Sequence, residues 1–175
     1  MGRPKALLPF RGRSFLEHIL TTVAGSSAGH TVVVLGHHRE AIEGSVRIEH
    51  PVLNPDYEKG MVTSIQAGIR ALPAGTEGAL LFLVDHPMAT AATVEALIRN
   101  SAPGRIILPT FGGRRGHPVL FAREILDEIL ALPASAGANV VVWKDPSRID
   151  EIPVNDEGIL IDIDTPEQFE KHRSE

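Results

Sequence analysis

The sequence contains no cysteine. Disulfides, thiolate nucleophiles and cysteine-based zinc sites are therefore excluded. It has no surplus of cations either: 17 Lys and Arg stand against 22 Asp and Glu, a formal net charge of -5. Nonspecific nucleic-acid binding works by cations displacing phosphate counterions, so that class is disfavoured. Long hydrophobic runs are missing too. The longest strongly apolar run, residues 79–84, falls far short of the ~20 residues that span a bilayer. Two prolines among the first nine residues argue against a signal peptide. A cytoplasmic protein with no membrane and no nucleic-acid partner is the expectation. Several catalytic signatures are also absent. There is no GxSxG elbow, no GxGxxG or GxxxxGK[ST] loop and no HExxH helix. Hydrolase triads, dinucleotide-binding enzymes and P-loop NTPases are thereby disfavoured.

What is present describes a globular chain. Apolar residues make up 43% and charged residues 22%, close to the norm for folded domains. At ~150 residues per domain, 175 residues give one domain. Short apolar runs alternate with helical patterns along it. Ser14, with Glu17 three residues on, reads as a capping box opening a helix to about Ala24, with Phe15, Ile19 and Val23 on one face. Residues 31–35 are rich in β-branched side chains and stop at Gly36, the pattern of a buried strand. A short helix at 39–42, a strand at 46–49, a helix at 62–72 and a strand at 79–84 follow. The pattern continues with a helix at 91–100, strands at 105–108 and 118–121, and a helix at 123–132. A strand at 140–143, short strands near Ile152 and Ile161 and a last helix from Pro166 complete it. Continuous apolar strands alternating with helices predict a single-domain, three-layer α/β/α sandwich with a mostly parallel, Rossmann-like sheet.

Ligands of open α/β sheets collect beyond the carboxyl ends of the strands, so residues just after each strand are the candidates. Asp85 ends the most apolar run; it is either a Mg²⁺ ligand or the cap of a turn before Pro87. Asp162 and Asp164 point the same way on alternating positions. They either approach one cation, or Asp164 or Thr165 caps the last helix. Two acidic strand ends that converge in space would cradle Mg²⁺ on a polyphosphate. Lys5, fixed behind Pro4, neutralises phosphate charge or is solvated surface. Gly60, Met61, Thr63 and Ser64 offer backbone N–H groups and hydroxyls at a helix start, or are ordinary first-turn residues. Arg115, Gly116, His117 and Pro118, preceded by Gly112, Gly113 and Arg114, form a basic loop for an anionic second substrate or an exposed hairpin turn. The adjacent His37 and His38 read as solvated loop residues.

Taken in order, these segments resemble the MobA-like nucleotidyltransferase family, and within it the molybdenum cofactor cytidylyltransferases. The marks are Met1-Gly2-Arg3-Pro4-Lys5 with Leu7-Leu8-Pro9, Asn54-Pro55 with Gly60-Met61 and Ser64-Ile65, and Asp85-His86-Pro87-Met88. Gly116-His117-Pro118-Val119-Leu120-Phe121 and Asp162-Ile163-Asp164-Thr165-Pro166-Glu167 follow. The Gly116–Phe121 run favours the cytidylyl branch over the guanylyl one.

The resemblance implies an enzyme that moves CMP from CTP (or a nucleotide from GTP) to a phosphorylated acceptor such as molybdopterin, with Mg²⁺, releasing pyrophosphate. Lys5 would stabilise phosphate charge, and Asp85 with Asp162 or Asp164 would hold the metal. Gly60, Met61, Thr63 and Ser64 would contact base and ribose, and Arg115, Gly116, His117 and Pro118 would line the acceptor side. A molybdoenzyme is an implied partner. Two departures stand out. The residue after the metal-binding Asp is often Gln in cofactor cytidylyltransferases, and here it is His86. Family members also carry a first strand and a Leu-Ala-Ala-Gly-x-Ser-x-Arg type loop ahead of the Met-Gly-x-Pro-Lys motif. The expectation is a domain over 1–175 that lacks this central strand and phosphate loop, through a late gene start or a truncation. A non-catalytic module that binds cofactor or a partner enzyme is the competing expectation.

Overall fold

The computed structural model describes residues 4–173, so Met1, Gly2 and Arg3 of the opening motif lie outside the described residues. A 3-10 turn at Lys5–Leu7 leads into a small hairpin, β1 (Pro9–Phe10) and β2 (Arg13–Ser14). The helix α1 (Phe15–Ala24) begins at the expected capping box. The Ser14 side chain accepts from the Glu17 backbone, and the Glu17 carboxylate accepts from Ser14 N–H at 2.7 Å. Phe15, Ile19 and Val23 are buried on its inner face. There follow β3 (Val33–Leu35), α2 (Arg39–Glu43), β4 (Pro51–Leu53), α3 (Met61–Arg70), β5 (Gly78–Leu81) and α4 (Ala91–Arg99). Then come β6 (Ile106–Phe111), β7 (Arg114–Arg115), β8 (Val119–Ala122), α5 (Arg123–Leu130), α6 (Asn139–Lys144), β9 (Ile149–Pro153) and α7 (Pro166–Arg173).

Three strand placements need correction. The strand placed at 46–49 falls later, at Pro51–Leu53, where it pairs in parallel register with Val33–Leu35. Val46 is instead a loop residue, buried against Leu16, Leu35 and Ile42. Residues 140–143 are helical rather than extended. One helical turn turns Val141 inward and leaves Val140 and Trp143 half exposed; a four-residue apolar run carries too little periodicity to separate the two. Near Ile161 there is no strand, because Glu157–Leu160 winds into a 3-10 turn that buries Ile159.

Side-chain alternation in the two inner strands creates the layers. Ile106 and Leu108 of β6, with Val119 and Phe121 of β8, face Val62 and Ile69 of α3, Ile125, Leu126 and Ile129 of α5, and Val141 of α6. Ile107 and Leu120, one residue out of phase, face Leu97 of α4 on the opposite side. Strand period and two-sided helical cover together give the α/β sandwich. Each fully buried Ile or Leu in it contributes about 1.5–3 kcal/mol of transfer free energy. The sheet is mixed rather than mostly parallel. Its order is β5-β8-β6-β7, with β9 alongside β6. β8 runs antiparallel to both β5 and β6, while β9 is parallel to β6. The cause is local: β6 turns back through β7 within a few residues, and so short a return cannot make a parallel crossover.

The parallel pair β3-β4 stands apart from this larger sheet. β5 is hydrogen-bonded to β8 on one side, and among the described residues no strand pairs with its other side. The most apolar run of the sequence, 79–84, is accordingly only half-buried along its whole length. Among the described residues no helix is long and apolar enough to cross a membrane.

Candidate active site

The chain leaves β5 through a turn in which His86 N–H donates to the Leu83 carbonyl at 3.1 Å. This turn presents Asp85 and His86 just past the carboxyl end of the strand. The Ile163 N–H donates to the Asp85 carbonyl at 2.9 Å. That one bond places Asp162 and Asp164 beside Asp85, although residues 161–164 form no strand. The third segment is the N-terminal 3-10 turn, from which the Lys5 ammonium contacts the Asp164 carboxylate and lies 3.7 Å from Asp85 Oδ2. Lys5, Asp85, Asp162 and Asp164 are thus brought together as the sequence suggested.

The two capping alternatives are answered differently. The last helix has its own reciprocal cap: Gln168 N–H donates to Thr165 Oγ1 at 3.2 Å, and Gln168 Oε1 accepts from Thr165 N–H at 2.9 Å. Thr165 is therefore the cap, and the Asp162 side chain is left for other work. Among the described residues Asp85 caps nothing, and its Oδ1 is buried without a hydrogen-bond partner, as are Asp162 Oδ1 and His86 Nδ1. Buried polar atoms in this condition are costly, about 1–3 kcal/mol each, unless a ligand satisfies them.

The electrostatics are those of carboxylates held together with too little positive charge. Burial, then the charges of Asp85 and Asp164, push the Asp162 carboxyl above its usual range. Asp164 shifts the other way because its hydrogen bond to Lys5 favours the ionised form. Burial works to lower the Lys5 ammonium, yet the Asp164 hydrogen bond and the surrounding acidic charges outweigh it and raise the pKa.

One ligand atom each from Asp85, His86 and Asp162 lie within 4.8 Å of one another. Hard carboxylate oxygens with an imidazole nitrogen form a donor set that suits a divalent cation. Such an ion would be held by Asp85 and Asp162, with Asp164 next to them. His86 is the residue that sequence reasoning left out of the cluster; its adjacency to Asp85 at a strand end was the available signal.

The basic loop divides in two. His117 packs its ring 4.6 Å from that of His86, so the loop reaches the acidic cluster. Burial, then the neighbouring His86, lowers the His117 pKa to about 4, against an opposing pull from Asp85. Gly116 is required where it stands, because a Cβ there would meet the Ile159 carbonyl oxygen at 2.4 Å. Its neighbour His117 donates its N–H to that same carbonyl at 2.9 Å, and Pro118 is buried behind it. Arg115 points elsewhere, pairing with Glu151 at 2.7 Å and lying over the Trp143 ring.

The helix start at α3 is more structural than its residue types suggested. Gly60, at φ 132°, approaches the Ala134 carbonyl so closely that a Cβ would sit 2.8 Å from it. Asn54 donates to both Thr63 Oγ1 and Ser64 Oγ at 2.9 Å. Thr63 Oγ1 also contacts the Asp56 and Gly60 carbonyls. These hydroxyls brace the turn, while Met61 is 64% exposed and free to touch a ligand. His37, as expected, is a loop residue and contacts the Tyr57 hydroxyl.

Known proteins resemble this chain along nearly its whole length. The chain is 34% identical to a nicotine blue oxidoreductase of Paenarthrobacter nicotinovorans, over 97% of this chain and 88% of the relative. It is 28% identical to the molybdenum cofactor cytidylyltransferase of Escherichia coli K12, over 97% of this chain and 86% of that one. In fold it superposes on Rv0371c of Mycobacterium tuberculosis, crystallised as a manganese complex. The TM-score is 0.85 at 23% identity, covering 99% of this chain and 94% of that one. Residues 1–148 match the profile of the MobA-like NTP transferase domain, and the chain belongs to that family of nucleotidyltransferases.

Proposed function

We propose that the protein transfers CMP from CTP to a phosphorylated small-molecule acceptor such as molybdopterin. An acceptor phosphate oxygen attacks the α-phosphorus, the new P–O–P bond forms, the bond to the β-phosphate bridge breaks, and pyrophosphate leaves. The observation that carries this reading is the Lys5–Asp85–Asp162–Asp164 cluster with its unpartnered buried oxygens. Phosphoryl chemistry of this kind depends on position and charge rather than on a protein nucleophile. A divalent ion, Mg²⁺ on the sequence reading, supplies Lewis-acid neutralisation of the phosphates when bound. Manganese in the related Rv0371c supports a divalent ion here.

The chain's own groups divide the work. Asp85 and Asp162 would hold the cation with Asp164 beside them, and Lys5 would shift from its carboxylate partners to phosphate oxygen. Gly60, Met61, Thr63 and Ser64 border base and ribose. Gly116, His117 and Pro118 line the acceptor side, with Arg115 at its outer margin. The similarity to the cytidylyltransferase and the Gly116–Phe121 motif support CTP over GTP.

The half-buried run 79–84 and the unpaired side of β5 support a second part of the reading: a strand and glycine-rich loop ahead of Lys5 belong to the working enzyme. The test compares pyrophosphate release with CTP and with GTP, each with molybdopterin. It uses this chain and a version extended upstream by about 13 residues, a strand of ~5–6 plus a loop. CTP-dependent release by the extended chain, well above that of the shorter one, is expected. Asp85→Ala in the extended chain should lower release by about 10²–10³-fold, the scale of a lost electrostatic contact in a water-poor site. Unchanged release in that variant removes Asp85 from the metal site, and release with GTP alone reassigns the base. Binding of acceptor without any release would leave a non-catalytic module.

A further inference from the structure

We propose that His86 is a metal ligand, so that Asp85, His86 and Asp162 form a mixed nitrogen–oxygen site that prefers a first-row transition ion over Mg²⁺. The inference rests on the reading above that the acidic cluster holds a divalent cation, and adds the identity of its donors and the class of ion.

Three observations carry it. First, His86 is in reach: its ligand atom and those of Asp85 and Asp162 lie mutually within 4.8 Å. Three donors each about 2.1 Å from one ion and evenly spread lie roughly 3.6 Å apart, so side-chain adjustments of about an ångström close the site. Second, one His86 ring nitrogen is buried and unpartnered, the same condition as Asp85 Oδ1 and Asp162 Oδ1. The three residues that carry these unpartnered atoms come from two separate segments and are the same three that offer a clustered set of ligand atoms, a combination that one cation would satisfy. Third, His86 has little freedom to turn away. Its backbone N–H is tied to Leu83, Pro87 behind it is buried, and the His117 ring lies 4.6 Å from its own. Packing against the His117 ring limits the rotamers open to His86.

The chemistry then sets the preference. Mg²⁺ takes oxygen donors and keeps several waters, usually with one or two carboxylates. An imidazole nitrogen adds little to that ion but strengthens binding of first-row transition ions. Two carboxyl groups and an imidazole therefore leave Mg²⁺ as the weaker occupant.

Mn²⁺ alone is the probe, because it is paramagnetic and accepts both donor types. The full chain is titrated with Mn²⁺, followed by loss of the free-ion EPR signal, and Mg²⁺ is used as competitor. Pulsed EPR then looks for ¹⁴N modulation from a directly bound imidazole, in natural protein and in protein labelled with ¹⁵N-histidine. The expected result is Mn²⁺ binding at least about tenfold tighter than Mg²⁺, the order of change produced by altering a single metal partner. Nitrogen modulation should be present, change with the ¹⁵N label and vanish in His86→Gln. It should survive in His37→Gln, a loop histidine outside the cluster. Mn²⁺ binding without nitrogen modulation overturns the inference and leaves an all-oxygen metal site standing. Modulation that persists in His86→Gln also overturns it. Failure of the natural protein to bind Mn²⁺ at all overturns the cation-binding reading of the cluster itself. The labelled natural protein needs no substitution, so the result does not depend on how His86→Gln folds.

Discussion

Leu80 and Leu120 are the same residue type, sit directly opposite each other on β5 and β8, and pack into the same side of the sheet. Leu120 is 5% exposed, and all four residues of β8 are buried. Leu80 is only half-buried, like every residue of β5. Composition does not explain this, because the stretch containing β5 is the more apolar one. The difference is the number of neighbours among the described residues: β8 has a strand on each side, β5 on one. A strand's burial is conferred by its neighbours, and its sequence states only what it can accept.

The largest expected effect tests the well-packed side. Leu120→Ala should destabilise the chain by about 2–5 kcal/mol, the range for a buried leucine that leaves a cavity, measured by urea unfolding. The matched change Leu80→Ala should lower stability by roughly half as much, since less area leaves water and the open side can relax. Equal losses at the two positions would break the comparison.

Next in size is the seam between α3 and the end of α5. Gln66 on α3 donates to the Ile129 carbonyl at 3.0 Å and the Leu132 carbonyl at 2.9 Å at the end of α5, while α3 also packs against β3. Gln66→Ala should lower stability by about 1–3 kcal/mol, because buried carbonyls lose their donor. It should also speed amide exchange in β3 more than in β8; uniform change across both strands would mean that Gln66 does not join them.

The smallest effect belongs to the capping box, a local device at the start of α1. Ser14→Ala should cost about 1 kcal/mol at neutral pH. The Ser14 side-chain hydrogen bond, then the backbone one, hold the Glu17 carboxyl below its usual 4.5. A lowered carboxyl pKa contributes stability above about 4.5 that is lost as pH falls through the folded value. The cost of Ser14→Ala should therefore shrink below pH ~4.5; a cost independent of pH would separate the cap from Glu17.

Local signals were readable in advance and relational ones were not. The capping box at Ser14 and Glu17, the strand end at Asp85 and the Asp162–Thr165 segment declare themselves through neighbours in sequence. The order of the sheet does not, because the reversal of β8 depends on how a short hairpin pairs across space. Val140 and Val141 carry strand propensity that packing against α5 overrides. Asn54 gave no hint that it would grip Thr63 and Ser64, since that contact depends on the turn between them. His86 looked like a departure from a motif because a sequence comparison weighs each position singly. Its part in the cluster depends on Asp162, 76 positions further along the chain.

The contact between Lys5 and Asp164 spans 159 positions. Contacts of such separation form late, after the entropy of closing the intervening chain has been met. Charge balance at the cluster is therefore among the last properties the folding molecule acquires. A nascent chain still short of residue 164 lacks the carboxylate that fixes Lys5. The cluster thus reports on the completion of folding, and metal capture on a refolding time course should lag behind burial of the β6–β8 core.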